Sequence, residues 1–332
     1  MRSVKLYRYT LPMDSGVVLR NNKLTHRVGY VVELSEQGRV GYGEIAPLPG
    51  FSPESVEEAG ALAKEMMGDW VEYRCFNYEH AFASVACGLS MAEMELTQQL
   101  PQRGNYNTAP LCKGDPDALW PILGNMVGEK IAKVKVGRHE PIRDGMMVSL
   151  LLESIPNLKL RLDANRAWSR EQADKFISYL PQSMRHRIVF IEEPCHKPSD
   201  SLSFSLDSGV FIAWDETLQD AAQQPNFRVA DLTGGRALII KPMVLGSLGY
   251  CQNLIEQANA MNMQVVVSSS IESSLGLTQL ARWAALVAPT ATPGLDTVDL
   301  FQEQLITPWP ECSLPVKGIE ELELLWEQIA LK

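Results

Sequence analysis

Residues 131–137 read IAKVKVG, and the same kind of run returns along the chain as LKLRLDAN (158–165), RIVFIEEP (187–194), VFIAWDE (210–216), RALIIKP (236–242), MQVVVSSS (263–270) and TPGLDT (292–297). All but the last are rich in β-formers, and each ends in a polar residue followed by turn or helix-start signals. Taking one residue per run gives Lys135, Asp163, Glu192, Asp215, Lys241, Ser268 and Gly294, at intervals of 28, 29, 23, 26, 27 and 26 residues. The runs do not resemble one another in sequence, so the period is not that of a solenoid repeat. It is the length of a strand plus a helix, which predicts an α/β fold with a parallel β/α barrel. An open doubly wound sheet alternates in the same way. Seven near-equal units suit a barrel better, and no G-x-G-x-x-G follows the first strand. GYGEIAPLPG at 41–50 does not match that fingerprint and lies upstream of the runs.

Ahead of the runs the pattern differs. Residues 2–9 and 28–34 alternate like strands, and SEQGRVGYGE (35–44) carries the turn chemistry of a hairpin. PLPGFSPES (47–55) reads as a loop in which Ser52 and Pro53 are placed to start a helix over 54–67. A second helix is expected over 78–99, and PQRGN (101–105) reads as a linker.

The chain has 332 residues, 45% hydrophobic and 21% charged, which fits a folded globular protein and excludes a disordered one. A net charge of −10 argues against nucleic-acid and anionic-membrane partners, which require positive potential at the contact. Cys75, Cys87, Cys112, Cys195, Cys251 and Cys312 form no C-x-x-C pair and read as reduced thiols of a cytoplasmic protein. MRSVKLYRYTLPM lacks the apolar segment of a signal peptide, and no run is long enough to span a membrane. The five histidines form no H-x-x-x-H pair, so any metal is expected to be a hard, oxygen-bound ion. The charge, and the absence of an evident apolar surface stripe, lead us to expect a monomer.

In a parallel barrel the C-terminal strand ends converge on one mouth. Lys133 and Lys135 lie two apart and share a face, whereas Val134 and Val136 face the helices. Mutual repulsion is expected to lower the pKa of at least one lysine and make it a usable base at neutral pH. A lone K-x-K is commonly a solvated strand edge, but here it precedes a series of carboxylates. Asp163, Glu192 and Asp215 end three successive runs. Each alone could cap the following helix, but three converging carboxylates need a cation, and Mg²⁺ suits an all-oxygen site. Glu193 and Glu216 should point the other way and support their neighbours. Lys241 ends the next run, where a cation could steady a carbanion formed beside a carboxylate. Arg161 shares the face of Asp163 and is either an anion or ring contact at the mouth or a salt-bridged core arginine.

K-x-K, D-A-N, E-E-P, D-E and I-K-P at these intervals resemble the muconate-lactonizing subgroup of the enolase superfamily, which pairs a Lys base with Mg²⁺. Within it, GEIAPLPGFS, APLCKGDPD, GEKIAKVKVG, LRLDANRAW, IEEPC, AWDE, SSSIESSLGLTQLAR and PGLDT are similar to the o-succinylbenzoate synthase family, from MRS at the start to SLPV at 313–316. That resemblance implies a modified TIM barrel, (β/α)7β, at 106–310, an α+β capping domain at 1–105, and a tail at 311–332 that returns to the cap. It implies Mg²⁺, with Mn²⁺ as a substitute, on Asp163, Glu192 and Asp215. The activity implied is a lyase acting on a succinyl-hydroxycyclohexadiene-carboxylate through an enediolate. Lys135 would move the proton, while Lys133 and Lys241 stabilise charge. Ser268, Ser270 and Gly294 would line the succinyl side, and loops 14–27 and 47–53 would close over the ligand.

The alternative that the same lysines allow is N-succinylamino acid racemisation, with Lys135 and Lys241 as opposed bases. Dipeptide epimerisation is disfavoured because Asp296 and Asp299 do not make a D-x-D pair. Ser268 stands where a mandelate-racemase-like enzyme would carry a histidine.

Overall fold

The structure, a computed structural model, describes residues 2–14, 17–19, 22–112 and 116–330. Residues 15, 16, 20 and 21 of loop 14–27, and residues 113–115 of APLCKGDPD, lie outside the described residues. The chain divides into two compact units. One comprises Met1–Tyr106, Ile240–Ile255 and Val267–Lys332, and the other Asn107–Ile239 and Glu256–Val266.

The first unit contains a four-stranded antiparallel sheet, in the order Glu323–Ile329, Arg2–Pro12, His26–Glu36, Arg39–Ile45. The two middle strands are buried on both faces. Val4, Leu6, Val32 and Leu34 pack with helices Val56–Tyr73 and Ala83–Leu96, while Tyr7, Tyr9, Leu11 and Val31 pack with Leu275, Leu300 and Phe301. The hairpin of residues 35–44 turns on Gln37 and Gly38, at φ 53° and 81°, as a two-residue turn with both central residues left-handed requires. Gly43 must lack a side chain, because a Cβ there would run into the Gly88 carbonyl of the helix above. The first helix starts later than Ser52 and Pro53 suggest. Ser55 caps it, accepting from Glu58 N while Glu58 returns a bond to Ser55 N.

The parallel strands run in sheet order as in sequence: Leu111–Cys112, Ile131–Lys135, Lys159–Asp163, Ile188–Glu192, Ile212–Trp214, Ala237–Ile240, Gln264–Val267. A doubly wound sheet would reverse direction at some point, and this one does not. Alternation divides the strand residues between two cores. Ala132, Val134, Leu160 and Leu162 meet the helices, while Phe190, Ala213, Ala237, Ile239 and Val266 form a separate cluster. Two strands escape the sequence pattern. Leu111–Cys112 is only two residues long. TPGLDT makes no strand, and contributes only a parallel bridge from Gly294 to Ser268. Between Asp215 and Lys241 the helix is short, Glu216–Ala222, followed by a 3-10 turn at Val229–Asp231. No helix among the described residues is long and apolar enough to cross a membrane, and none of the six cysteines forms a disulfide.

Candidate active site

Register brings the charged strand ends level. Lys135 pairs with Asp163, Asp163 with Glu192, and Glu192 with Ala213, two residues before Asp215. Lys133 Nζ lies 2.6 Å from Glu192 Oε2 and 3.0 Å from Asp163 Oδ2, and Lys135 Nζ lies 3.8 Å from the same Asp163 oxygen. The carboxylates are buried, whereas the Lys135 side chain is 29% exposed and can meet a ligand. The lysine–lysine repulsion expected to lower a pKa is overruled at Lys133. Burial pushes its ammonium down, but Asp163, Glu192 and Asp215 together hold it above the ordinary lysine value.

Asp215 sits just beyond strand Ile212–Trp214, where it precedes helix Glu216–Ala222 without capping it through its side chain. Its Oδ1 accepts from Gln219 Nε2 at 2.7 Å. Its backbone N–H donates to Glu193 Oε1 at 3.1 Å. Glu193 also accepts from Thr217 N, Thr217 Oγ1 and Arg166 Nε, so this second glutamate of E-E-P supports its neighbours from the far side of the strand. Burial raises the Glu193 carboxyl, against the lowering effect of these donors.

Asn165 and Arg166 link the loop after Asp163 to the same short helix. Both have left-handed backbones, at φ 45° and 57°, a conformation that asparagine tolerates and that costs a residue such as Arg166 about 1–2 kcal/mol. Asn165 Oδ1 accepts from Lys135 Nζ at 3.2 Å, and its Nδ2 donates to Glu216 Oε1 at 3.2 Å. Arg166 reaches Asp220, Thr217 and Glu193. Sequence reasoning did not single out Asn165, Arg166, Thr217 or Gln219. The available signal was the polar pair that follows Asp163 in D-A-N-R.

Arg161 is buried two residues before Asp163, with its guanidinium 5.5 Å above the Phe190 ring. Burial lowers its pKa, and Glu192 partly restores it. Lys241, Ser268, Ser270 and Gly294 belong to the first unit. Lys241 immediately follows strand Ala237–Ile240 and precedes the turn Pro242–Leu245. Ser268 Oγ donates to the Gly294 carbonyl at 3.2 Å. Ser270 is buried, and its N–H donates to Glu272 Oε2 at 2.7 Å.

The first unit holds a different set of buried charges. Arg27 donates to the carbonyls of Ala46, Pro47 and Ile271. It thereby ties the end of loop 14–27 and the start of loop 47–53 to a turn in which Ile271 adopts φ 61°. Glu44 accepts from Tyr9 OH, from Ser273 N and Oγ, and from Gly276 N at the start of helix Ser274–Val287. Glu272 takes donors on Oε2 from Ser269 and Ser270, while Oε1 has no hydrogen-bond partner among the described residues.

Comparison with known proteins gives one consistent answer. The family model described as "MenC, N-terminal domain" matches residues 1–96, and "Enolase C-terminal domain-like" matches residues 125–313. An o-succinylbenzoate synthase of Vibrio cholerae is 55% identical over 326 residues, covering 98% of each chain. The crystal structure of o-succinylbenzoate synthase from Thermosynechococcus elongatus, complexed with magnesium in its active site, superposes with a TM-score of 0.71 at 24% identity over 90% of this chain and 93% of that one. A dipeptide epimerase from Cytophaga hutchinsonii superposes with a TM-score of 0.73 at 20% identity, over 90% and 88% of the two chains. The fold is therefore a modified TIM barrel with an N-terminal cap, and fold alone does not select the reaction. Full-length identity to the curated enzymes does select it: the chain belongs to the o-succinylbenzoate synthase family of the enolase superfamily.

Proposed function

We propose that this protein catalyses the metal-dependent syn dehydration of 2-succinyl-6-hydroxy-2,4-cyclohexadiene-1-carboxylate to 2-succinylbenzoate in menaquinone biosynthesis. The observation that carries this reading is the full-length identity to o-succinylbenzoate synthases, and the meeting of Lys133 and Lys135 with Asp163 and Glu192 on three neighbouring strand ends supports it. Among the described residues no group of three His, Cys, Asp or Glu side chains stands in a chelating arrangement. The donor set nevertheless suits a hard ion, being three buried carboxylates, and the Lys133 ammonium already rests on two of them. Asp163, Glu192 and Asp215 would hold Mg²⁺, with Mn²⁺ able to replace it, and the ion would draw charge from the substrate carboxylate and so acidify the adjacent C–H.

Lys135, the more exposed of the two lysines, takes the proton from the carbon beside the carboxylate. The electron pair of that C–H bond passes into the enediolate, which Lys133 and Lys241 stabilise by charge. As the enediolate collapses, the C–O bond on the neighbouring carbon breaks. Lys135 returns its proton to the departing hydroxide, and water and an aromatic ring result. One lysine serving both steps is what makes the elimination syn. Arg161, Ser268, Ser270 and Gly294 are the proposed substrate contacts. Loops 14–27 and 47–53 are the segments proposed to exclude water. The protein would work as a monomer in the cytoplasm.

The test is turnover of that carboxylate by purified protein, with Mg²⁺ and then with excess chelator. Metal-dependent formation of succinylbenzoate is expected. No turnover by folded, Mg²⁺-loaded protein would overturn the reading, and α-proton exchange of N-succinylamino acids in D₂O would then establish racemisation instead.

A further inference from the structure

The strained turn after Asp163 presents one group to the proposed base. Asn165 adopts φ 45°, a left-handed conformation that asparagine tolerates, its neighbour Arg166 φ 57°, which is costlier, and side-chain contacts hold both. Those contacts are specific. Glu216 Oε1 accepts from Asn165 Nδ2, and because a carboxylate accepts and does not donate, this bond fixes which end of the amide faces which way. The oxygen end is left toward Lys135, and it receives Lys135 Nζ at 3.2 Å. The Asn165 backbone N–H donates to Asp163 Oδ1 at 3.2 Å, so the backbone that carries the side-chain amide is tied to the strand end beside the base.

A neutral lysine acting as a base has two N–H bonds and one lone pair. If one N–H is committed to a fixed acceptor, rotation about the terminal C–N bond is restrained and the lone pair is confined to the two positions that remain. We propose that Asn165, locked by Glu216, is a positioning residue that aims the Lys135 lone pair at the substrate C–H. This inference rests on the assignment of Lys135 as the base. It adds a role for two residues that neither carry the proton nor are proposed to hold the metal. A misaimed base slows proton transfer without weakening substrate binding, and a misplacement on the order of 1 Å is enough to cost about a hundredfold.

The experiment uses substrate deuterated at the carbon that loses its proton, with wild type, Asn165→Ala and Glu216→Gln. For Asn165→Ala the expected result is a ten- to hundredfold fall in kcat, KM and the Mg²⁺ midpoint within twofold of wild type, and a larger primary isotope effect as proton abstraction becomes rate-limiting. Glu216→Gln, whose amide can present either end to Asn165, is expected to shift kcat and the isotope effect in the same direction by three- to tenfold in kcat. It carries the test if Asn165→Ala does not fold. An unchanged isotope effect, or a change confined to the Mg²⁺ midpoint or to thermal stability, overturns the positioning role while wild-type turnover leaves the proposed function standing. Failure of the wild type to turn over the substrate overturns both.

Discussion

Two buried charged regions of this molecule, one around Glu44 and Arg27 and one at the strand ends, solve the same electrostatic problem in opposite ways. Around Glu44 and Arg27 nearly every charge is neutralised by local, fixed donors and acceptors. Arg27 spends its guanidinium on three backbone carbonyls, and both Glu44 oxygens are filled from Tyr9, Ser273 and Gly276. At the strand ends, Asp163 and Glu192 meet the ammonium tips of Lys133 and Lys135, and Asp163 adds one backbone donor from Asn165. Charges held by backbone donors stabilise a fold, whereas charges held by lysine tips remain available for chemistry. Buried charge alone does not mark an active site; the kind of partner does.

Breaking the strand-end region should cost activity and spare the fold. Lys135→Ala is expected to lower turnover by roughly 10²–10⁴-fold with an unchanged melting temperature, and near-normal turnover would remove Lys135 as the base. Breaking the other region should do the reverse. Glu44→Ala strands buried donors of Tyr9, Ser273 and Gly276 and is expected to cost about 3 kcal/mol in denaturant unfolding, with kcat of the folded protein within threefold of wild type. A variant of normal stability would show that Glu44 is not the anchor described. Asp215→Asn should move the Mg²⁺ midpoint for activity by roughly 10–100-fold; an unmoved midpoint would exclude Asp215 from the ligands.

The smallest effect sharpens the contrast through pH. Burial raises the Glu272 carboxyl above its unfolded value, opposed by the Ser269 bond and assisted by Glu44. For such an acid the native state is favoured below the unfolded pKa and loses that advantage as pH rises through the folded one. Glu272→Gln should therefore gain melting temperature over wild type near pH 8 and lose that gain toward pH 4. Equal differences at both ends would show that Glu272 titrates as it does in the unfolded chain.

Much of this architecture was legible because a strand buried on both faces and ended by one polar residue leaves a periodic trace. Lys135, Asp163, Glu192, Asp215 and Lys241 all stand at or just past strand ends. Leu111–Cys112 was missed because two residues carry no periodicity. TPGLDT fell short of a strand because Pro293 has no N–H to donate, and Gly294 alone makes the bridge. The roles of Asn165 and Arg166 were hidden for another reason. Their side chains meet partners some 50 residues away, Glu216 and Thr217, which no local pattern reports. The elevated pKa of Lys133 likewise depends on how a flexible side chain settles among carboxylates from three strands.

The pairing of Glu323–Ile329 with Arg2–Pro12 has a consequence for synthesis on the ribosome. At about 5–20 residues per second, the first strand waits roughly 15–60 s for the segment that covers its outer edge. During that interval the edge is open to other nascent chains. Arg2, Lys5 and Arg8 punctuate the waiting strand with positive charge, and Lys5 and Arg8 later settle against Glu33 and Glu57. Charges spaced this way discourage edge-to-edge association, so the strand is protected from its neighbours until its own partner arrives.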